Sequence, residues 1–218
     1  MQFAPKHAVP IFPLPGLVLF PGLILPLHVF ELRYRTMVRE ALSGERLLAL
    51  ALLRPGWEHD YHGSPAFFPV GCLARCEEVE WLPNDCYQLK VLGLSRVRFG
   101  RVVREYPYRS AIVQLLPQEP LGESDPLVAL ERRALVDAAN RLRRAILPQG
   151  GDPPALSEDM SFEALVNGAC MEFLGEPMLK LQLLKMDSVL DRSRKVRELI
   201  EEYLRTEGQR KPEAGERN

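Results

Sequence analysis

The side chains with the most obvious chemistry are Cys72, Cys76 and Cys86, with His59 and His62 shortly before them. Zinc takes about four N or S ligands at roughly 2.0–2.3 Å. Cys72 and Cys76 share one face of an alternating segment, where four residues at roughly 3.3 Å each set them about 13 Å apart. One ion does not span that distance, and His59-x-x-His62 with a single cysteine is an incomplete site. The expectation is buried thiols and no metal. A cysteine nucleophile needs a neighbouring base and a lowered pKa. Cys170 lies inside an apolar stripe, which disfavours the thiolate. Cys86 sits in a turn and is the most available, and His28 is the base to consider, but nothing in the sequence pairs them. Glu77, Glu78 and Glu80, and Glu201 with Glu202, read as solvated faces. No G-x-S-x-G or H-E-x-x-H occurs, and no G-x-x-x-x-G-K-[ST]; the chain has no Gly-Lys pair. The expected catalytic residues and cofactors are therefore none.

Two sets of residues suit binding instead. Arg96, Arg98, Arg101, Arg104, Arg132, Arg133, Arg141, Arg143 and Arg144 suggest nucleic acid. Arg96 and Arg98 alternate with Val97 and Phe99, however, as the outer face of a strand does. A net charge of −1 over 218 residues also provides no concentrated basic field. Trp57, Tyr61, Phe67, Phe68 and Trp81 fall in or beside loops, outside any periodic stripe. They are the candidate peptide-binding residues, since apolar side chains left uncovered mark interaction surfaces.

The elements that must carry these residues are legible by period. The segment "FPLPGLVLFPGLILPLHVFE" (12–31) is greasy, but Pro13, Pro15, Pro21 and Pro26 exclude a membrane helix. It lacks the basic start and small-residue cleavage site of a signal peptide. It reads as two strands, 17–20 and 23–27, around a Pro21-Gly22 turn. Phe30, Tyr34, Met37, Val38, Ala41 and Leu42 form a helical stripe, and Gly44 is placed to end it in a left-handed conformation. Segments 47–53, 70–77, 87–91, 96–99, 101–103 and 110–116 read as strands, and 54–65 as a loop. Short strands at this spacing suggest a small barrel or a strongly curled sheet.

Beyond "PQEPLGESDP" (117–126) the pattern is helical. Asp125-Pro126 pairs an N-cap acid with an N1 proline. Leu135, Ala138, Leu142, Ala145 and Ile146 share one face. Phe162, Leu165, Val166, Ala169, Cys170, Phe173 and Leu174 share another, closed by Gly175, after a loop at 148–159. A short helix starts at Glu176-Pro177. A last one, capped by Asp187 or Ser188, carries Val189, Val196, Ile200 and Tyr203. Residues 206–218 are polar and expected to be disordered.

"PIFPLPGLVLFPGLILPLHVFELRYRTMVREAL" (10–42) and "VGCLARCEEVEWLPNDCYQLKVLGLSRVRF" (70–99) resemble the Lon protease N-terminal, substrate-binding domain. The second stretch contains a Gly-x-x-Arg element at Gly93–Arg96. "KLQLLKMDSVLDRSRKVRELIEEYL" (180–204) is similar to the family's C-terminal helices. The resemblance covers roughly residues 8–204. It implies an α+β fold: a PUA-like curled β-barrel or sheet at 8–118, a helical bundle at 119–205, and a tail at 206–218. It also implies a stand-alone recognition module without ATPase or protease machinery. The expected role is non-enzymatic binding of exposed apolar or extended polypeptide segments, at an open sheet edge or in an apolar groove between the halves, alongside a protease or chaperone in the cytoplasm. RNA binding by the PUA-like half is the alternative, and a small hydrolase using Cys86 comes third.

Overall fold

A computed structural model describes residues 5, 7–119, 122–146, 156 and 159–210. The element order is β1 (Val9–Leu14), β2 (Ile24–Val29), α1 (Leu32–Leu42), β3 (Leu47–Leu53), β4 (Phe67–Leu82), β5 (Cys86–Arg104), β6 (Ser110–Leu115), α2 (Pro126–Ile146), α3 (Phe162–Phe173), α4 (Pro177–Leu184) and α5 (Val189–Arg210). The chain divides into two compact units. The first comprises 1–117 with 176–187, so α4 clusters with the sheet; the second comprises 118–175 with 188–218. The architecture is α+β.

In the first unit six strands form one mixed sheet in the order β2-β5-β4-β3-β1-β6, curled until β6 also pairs with β5. β1 runs parallel to β3; the other pairings are antiparallel. Consecutive apolar residues let β3 be buried along its whole length. Leu48 and Leu50 join Met37, Val38, Cys72, Cys76 and Leu89 on one face, while Leu47, Ala49 and Ala51 join Ile11, Leu73, Val97 and Phe99 on the other. The segments read separately as 87–91, 96–99 and 101–103 are one 19-residue strand, β5, whose bulges let a single strand serve β2, β4 and β6.

The proline-rich opening is extended rather than helical, but its first strand lies earlier than expected. β1 covers 9–14, and 17–20 is not a strand. Turns at Pro15-Gly16 (φ 68°) and Pro21-Gly22 (φ 77°) bracket that short segment. It crosses the unit as a buried tether, with Val18, Leu19 and Phe20 inside. Its end is tied to β5: Gly22 N–H donates to the Gly93 carbonyl at 2.8 Å, and Gly93 N–H donates to Leu23 at 2.9 Å. A Cβ on Gly93 would collide with the Phe20 carbonyl, so only glycine fits there. β1 tolerates Pro13 because it pairs with β6 only through Val9 and Pro10, leaving one side of the strand open further along.

Arg96 is not on an outer face. It is 2% exposed, and its guanidinium donates to the carbonyls of Leu184 (3.1 Å), Met186 (2.8 Å) and Pro117 and to Asp187 Oδ1 (2.9 Å). A buried cation survives only when its donors are met this fully. α1 buries Tyr34, Met37, Val38 and Ala41 as its stripe requires. Phe30 lies before the helix and is exposed. The residue after α1 with positive φ is Arg46 (60°), not Gly44. Arg46 is held there by its own side chain, whose Nε donates to the Cys76 carbonyl at 2.8 Å.

In the second unit α2, α3 and α5 pack together. Asp125 caps α2 by accepting from Leu127 N–H at 2.8 Å, and Ser188 caps α5 by accepting from Asp191 N–H at 3.2 Å. The α2 stripe is buried through Leu142 but not at Ala145 or Ile146. Arg192, wholly buried, donates to Asn167 Oδ1 at 2.7 Å. Tyr203 is exposed, and α5 continues to Arg210, past the expected start of disorder at 206; residues 211–218 and most of the 148–159 loop lie outside the described residues. No helix among the described residues is long and apolar enough to cross a membrane.

Candidate functional site

The sequence's reactive groups do not converge. Cys72 and Cys76 lie in the core beneath α1, Cys170 is buried in α3, and Cys86 is half-buried at the start of β5, all outside any disulfide. Burial pushes the Cys76 thiol up to about 11, away from thiolate chemistry. His28 stands across the ladder from Gln88, not Cys86, and its Nδ1 lies 3.3 Å from Gln88 Oε1. Among the described residues no group of three or more His, Cys, Asp or Glu could hold a metal ion. Five of the nine arginines are engaged, while Arg98, Arg101, Arg133 and Arg144 are exposed. Arg96 is internal, Arg104 pairs with Glu40, Arg132 with Glu123, Arg141 with Asp137, and Arg143 with Glu172.

A different feature stands out in the first unit. The start of α1, the loop at 62–64 and the β5–β6 connection at 105–107 enclose an open groove of about 500 Å³. That falls within the roughly 300–1,000 Å³ of ordinary ligand clefts. Leu32, Arg33, Thr36, His62, Gly63, Ser64, Glu105, Tyr106 and Pro107 line it. Two of these are large apolar side chains left in water: Leu32 is 68% exposed and Tyr106 86%.

Polar bonds brace the frame of the groove. Arg33 donates from Nη2 to the Tyr61 carbonyl at 2.7 Å, from Nη1 to the Gly63 carbonyl at 3.2 Å, and from Nε to Glu31 Oε2 at 3.1 Å. Tyr61 O–H donates to Glu31 Oε1 at 2.6 Å, closing the latch between loop and helix. Desolvation and that bond to Glu31 push the Tyr61 hydroxyl up to about 12, so it stays protonated. Inside the loop, Asp60 accepts from Ser64 N–H at 3.1 Å. At the other wall, Tyr108 O–H donates to Glu40 Oε2 at 2.5 Å, and Arg104 donates to the same oxygen at 2.7 Å. α1 is thereby tied near both ends to the segments that flank the groove.

The five aromatic candidates do not form one patch. Trp57 and Tyr61 pack edge to face, with centroids 5.2 Å apart, in the loop that walls the groove. Phe67 meets Phe99 at 5.2 Å and carries the Arg109 guanidinium at 4.6 Å. Phe68, next in the strand, lies 5.4 Å from Arg54 and 5.9 Å from Lys185. Trp81 lies at the far end of β4, a strand path of roughly 45 Å from Phe67 at about 3.3 Å per residue. It is 70% exposed and donates from Nε1 to Asp85 Oδ1 at 3.2 Å. Leu32, Tyr106 and Glu105 carried no sequence signal as a site. Leu32 sits off the helical stripe of α1, which is the one available hint.

A family model described as the ATP-dependent protease La (LON) substrate-binding domain matches residues 8–202. Lon protease from Desulfosudis oleivorans is 32% identical over 114 residues, covering 52% of this chain and 14% of that protein. Lon protease 2 from Myxococcus xanthus is 28% identical over 154 residues, covering 71% and 18%. The chain thus spans less than a fifth of the length of these relatives. Among solved structures, the N-terminal domain of the Mycobacterium avium complex Lon protease superposes with a TM-score of 0.65 at 16% identity, covering 89% of this chain and 98% of that one. The Lon N-terminal domain protein from Xanthomonas campestris gives 0.63 at 22%, covering 87% and 96%. These structures share the fold, and the family model spans nearly all of the sequence that builds it. The chain belongs to the LON substrate-binding domain family.

Proposed function

We propose that this chain binds exposed apolar or extended segments of other polypeptides, without catalysing a covalent step, and that the groove beside α1 is where it does so. One observation carries the reading: Leu32 and Tyr106, both largely exposed, line the same groove. Burying them against a partner side chain removes apolar area from water, and tyrosine is enriched where proteins meet. Family membership supports the substrate-binding role. Of the aromatic candidates, Tyr61 braces the groove through Arg33 and Glu31, with Trp57 packed against it; Trp81 is a separate contact surface. A protease or chaperone takes up the bound segment, and thiols kept outside disulfides suit a cytoplasmic, reducing setting.

Titrating the protein into a permanently unfolded, reduced and alkylated model protein, into its folded form, and into structured RNA tests the proposal. Run at low and physiological salt, binding to the unfolded form alone, little changed by salt, is expected. RNA binding that weakens steeply with salt, without affinity for the unfolded chain, would replace this reading with the nucleic-acid one.

A further inference from the structure

The charges around the groove point to a more specific ligand. Two cations stand near it, and both are already engaged. Arg33 is held by Glu31 and by two carbonyls. Arg109 is half-buried against the Phe67 ring, and desolvation lowers its pKa. Glu105 is the exception. It is exposed, lines the groove directly beside Tyr106, and lies in the field of Arg109. Among the described residues its carboxylate makes no hydrogen bond or ion pair, and the Arg109 charge acts on it only through space. The groove therefore presents an apolar pair, Leu32 and Tyr106, with an uncommitted carboxylate adjoining one member.

We infer that the groove selects extended segments in which a large apolar residue stands next to a lysine or arginine, with Glu105 as the specificity-determining residue. This rests on the polypeptide-binding reading above and deepens it. The apolar side chain seats between Leu32 and Tyr106, where burial supplies the affinity. The neighbouring cation reaches the Glu105 carboxylate at the rim, where a charge pair supplies preference more than strength. An acidic neighbour would instead face like charge, which discriminates by repulsion.

The test uses fluorescent peptides of about ten residues in a Gly/Ser frame, long enough at roughly 3.3 Å per residue to cross the groove. Their centres are Phe-Lys, Phe-Glu or Ala-Lys. The intact chain should bind Phe-Lys about three- to five-fold more tightly than Phe-Glu at low salt, the scale of a solvent-exposed pair, with the ratio shrinking as salt is raised. Ala-Lys should bind more weakly than either. Glu105→Gln should bring the ratio to one, and Glu105→Lys should invert it. Leu32→Ser should weaken both Phe peptides and leave their ratio intact. Equal affinity for Phe-Lys and Phe-Glu, a ratio unmoved in Glu105→Gln, or no peptide binding would overturn the inference. Polypeptide binding itself fails only if the unfolded model protein is also ignored, so the two outcomes are separable. Circular dichroism of each variant confirms that it is folded.

Discussion

Arg96 and Leu32 sit in opposite kinds of place from what their side chains prefer. One is a cation 2% exposed inside the first unit; the other is a leucine 68% exposed on its surface. Around Arg96 the chain supplies acceptors until the charge is met, from Pro117, Leu184, Met186 and Asp187. Around Leu32 the described residues supply a braced, open groove and leave the side chain largely in water. A buried charge without partners would be expensive, so its full satisfaction marks an architectural node. An exposed apolar pair in a cleft is where the proposed partner would gain most from burial. The contrast sets a residue that holds the fold beside one that the fold leaves exposed.

The largest expected effect breaks the node. Arg96→Ala leaves carbonyls and the Asp187 carboxylate without their donor and should cost about 3–5 kcal/mol in urea unfolding. A stability change under about 1 kcal/mol would mean that water replaces the guanidinium without loss. The next breaks the groove. Leu32→Ser combined with Tyr106→Ser should weaken binding of an unfolded model protein about ten-fold or more, with the unfolding midpoint unchanged, because both side chains are already in water. Equal affinity would move the site elsewhere.

Smaller effects sharpen the comparison. Tyr61→Phe removes the latch to Glu31 while keeping the ring. It should cost about 1 kcal/mol of stability and raise amide exchange across 61–64, leaving the Arg96 node as protected as before. The same hydroxyl predicts an alkaline limit. Its folded pKa, about 12, lies above the ordinary 10.0. The stabilisation it brings is complete below pH 10 and is lost as pH rises through about 12. Ultraviolet titration of phenolate, compared between the intact chain and Tyr61→Phe, reads this; a Tyr61 ionising near 10 would contradict the latch.

The split between node and groove also explains what the sequence reveals. Period carried far: the buried run of β3, the stripe of α1, the Asp125-Pro126 start of α2 and the stripe of α3 through Cys170 all follow from spacing. Arg96 misleads because its neighbours alternate as on an outer face, while the carbonyls that hold it come from residues about 90 positions later. Residues 17–20 mislead for a similar reason. Their apolar run fits a strand, but Gly93, about 70 positions away in sequence, decides that they cross as a tether. The Gly-x-x-Arg element thus has a physical content that no local window contains: glycine admits the Phe20 backbone, and arginine gathers the segments at 117 and 184–187. The groove was least legible. Its parts come from three separated segments, and exposure of a leucine is not a property of its own neighbourhood in the chain.

Hydrogen exchange of the intact chain, with and without an unfolded, alkylated model protein, tests the central claim most directly. Polypeptide binding in the groove predicts slowed exchange confined to amides of 31–36, 61–64 and 105–106, with the β5 amides around Arg96 unchanged. Protection along β2 at 24–29 instead, or none at saturating ligand, would contradict it.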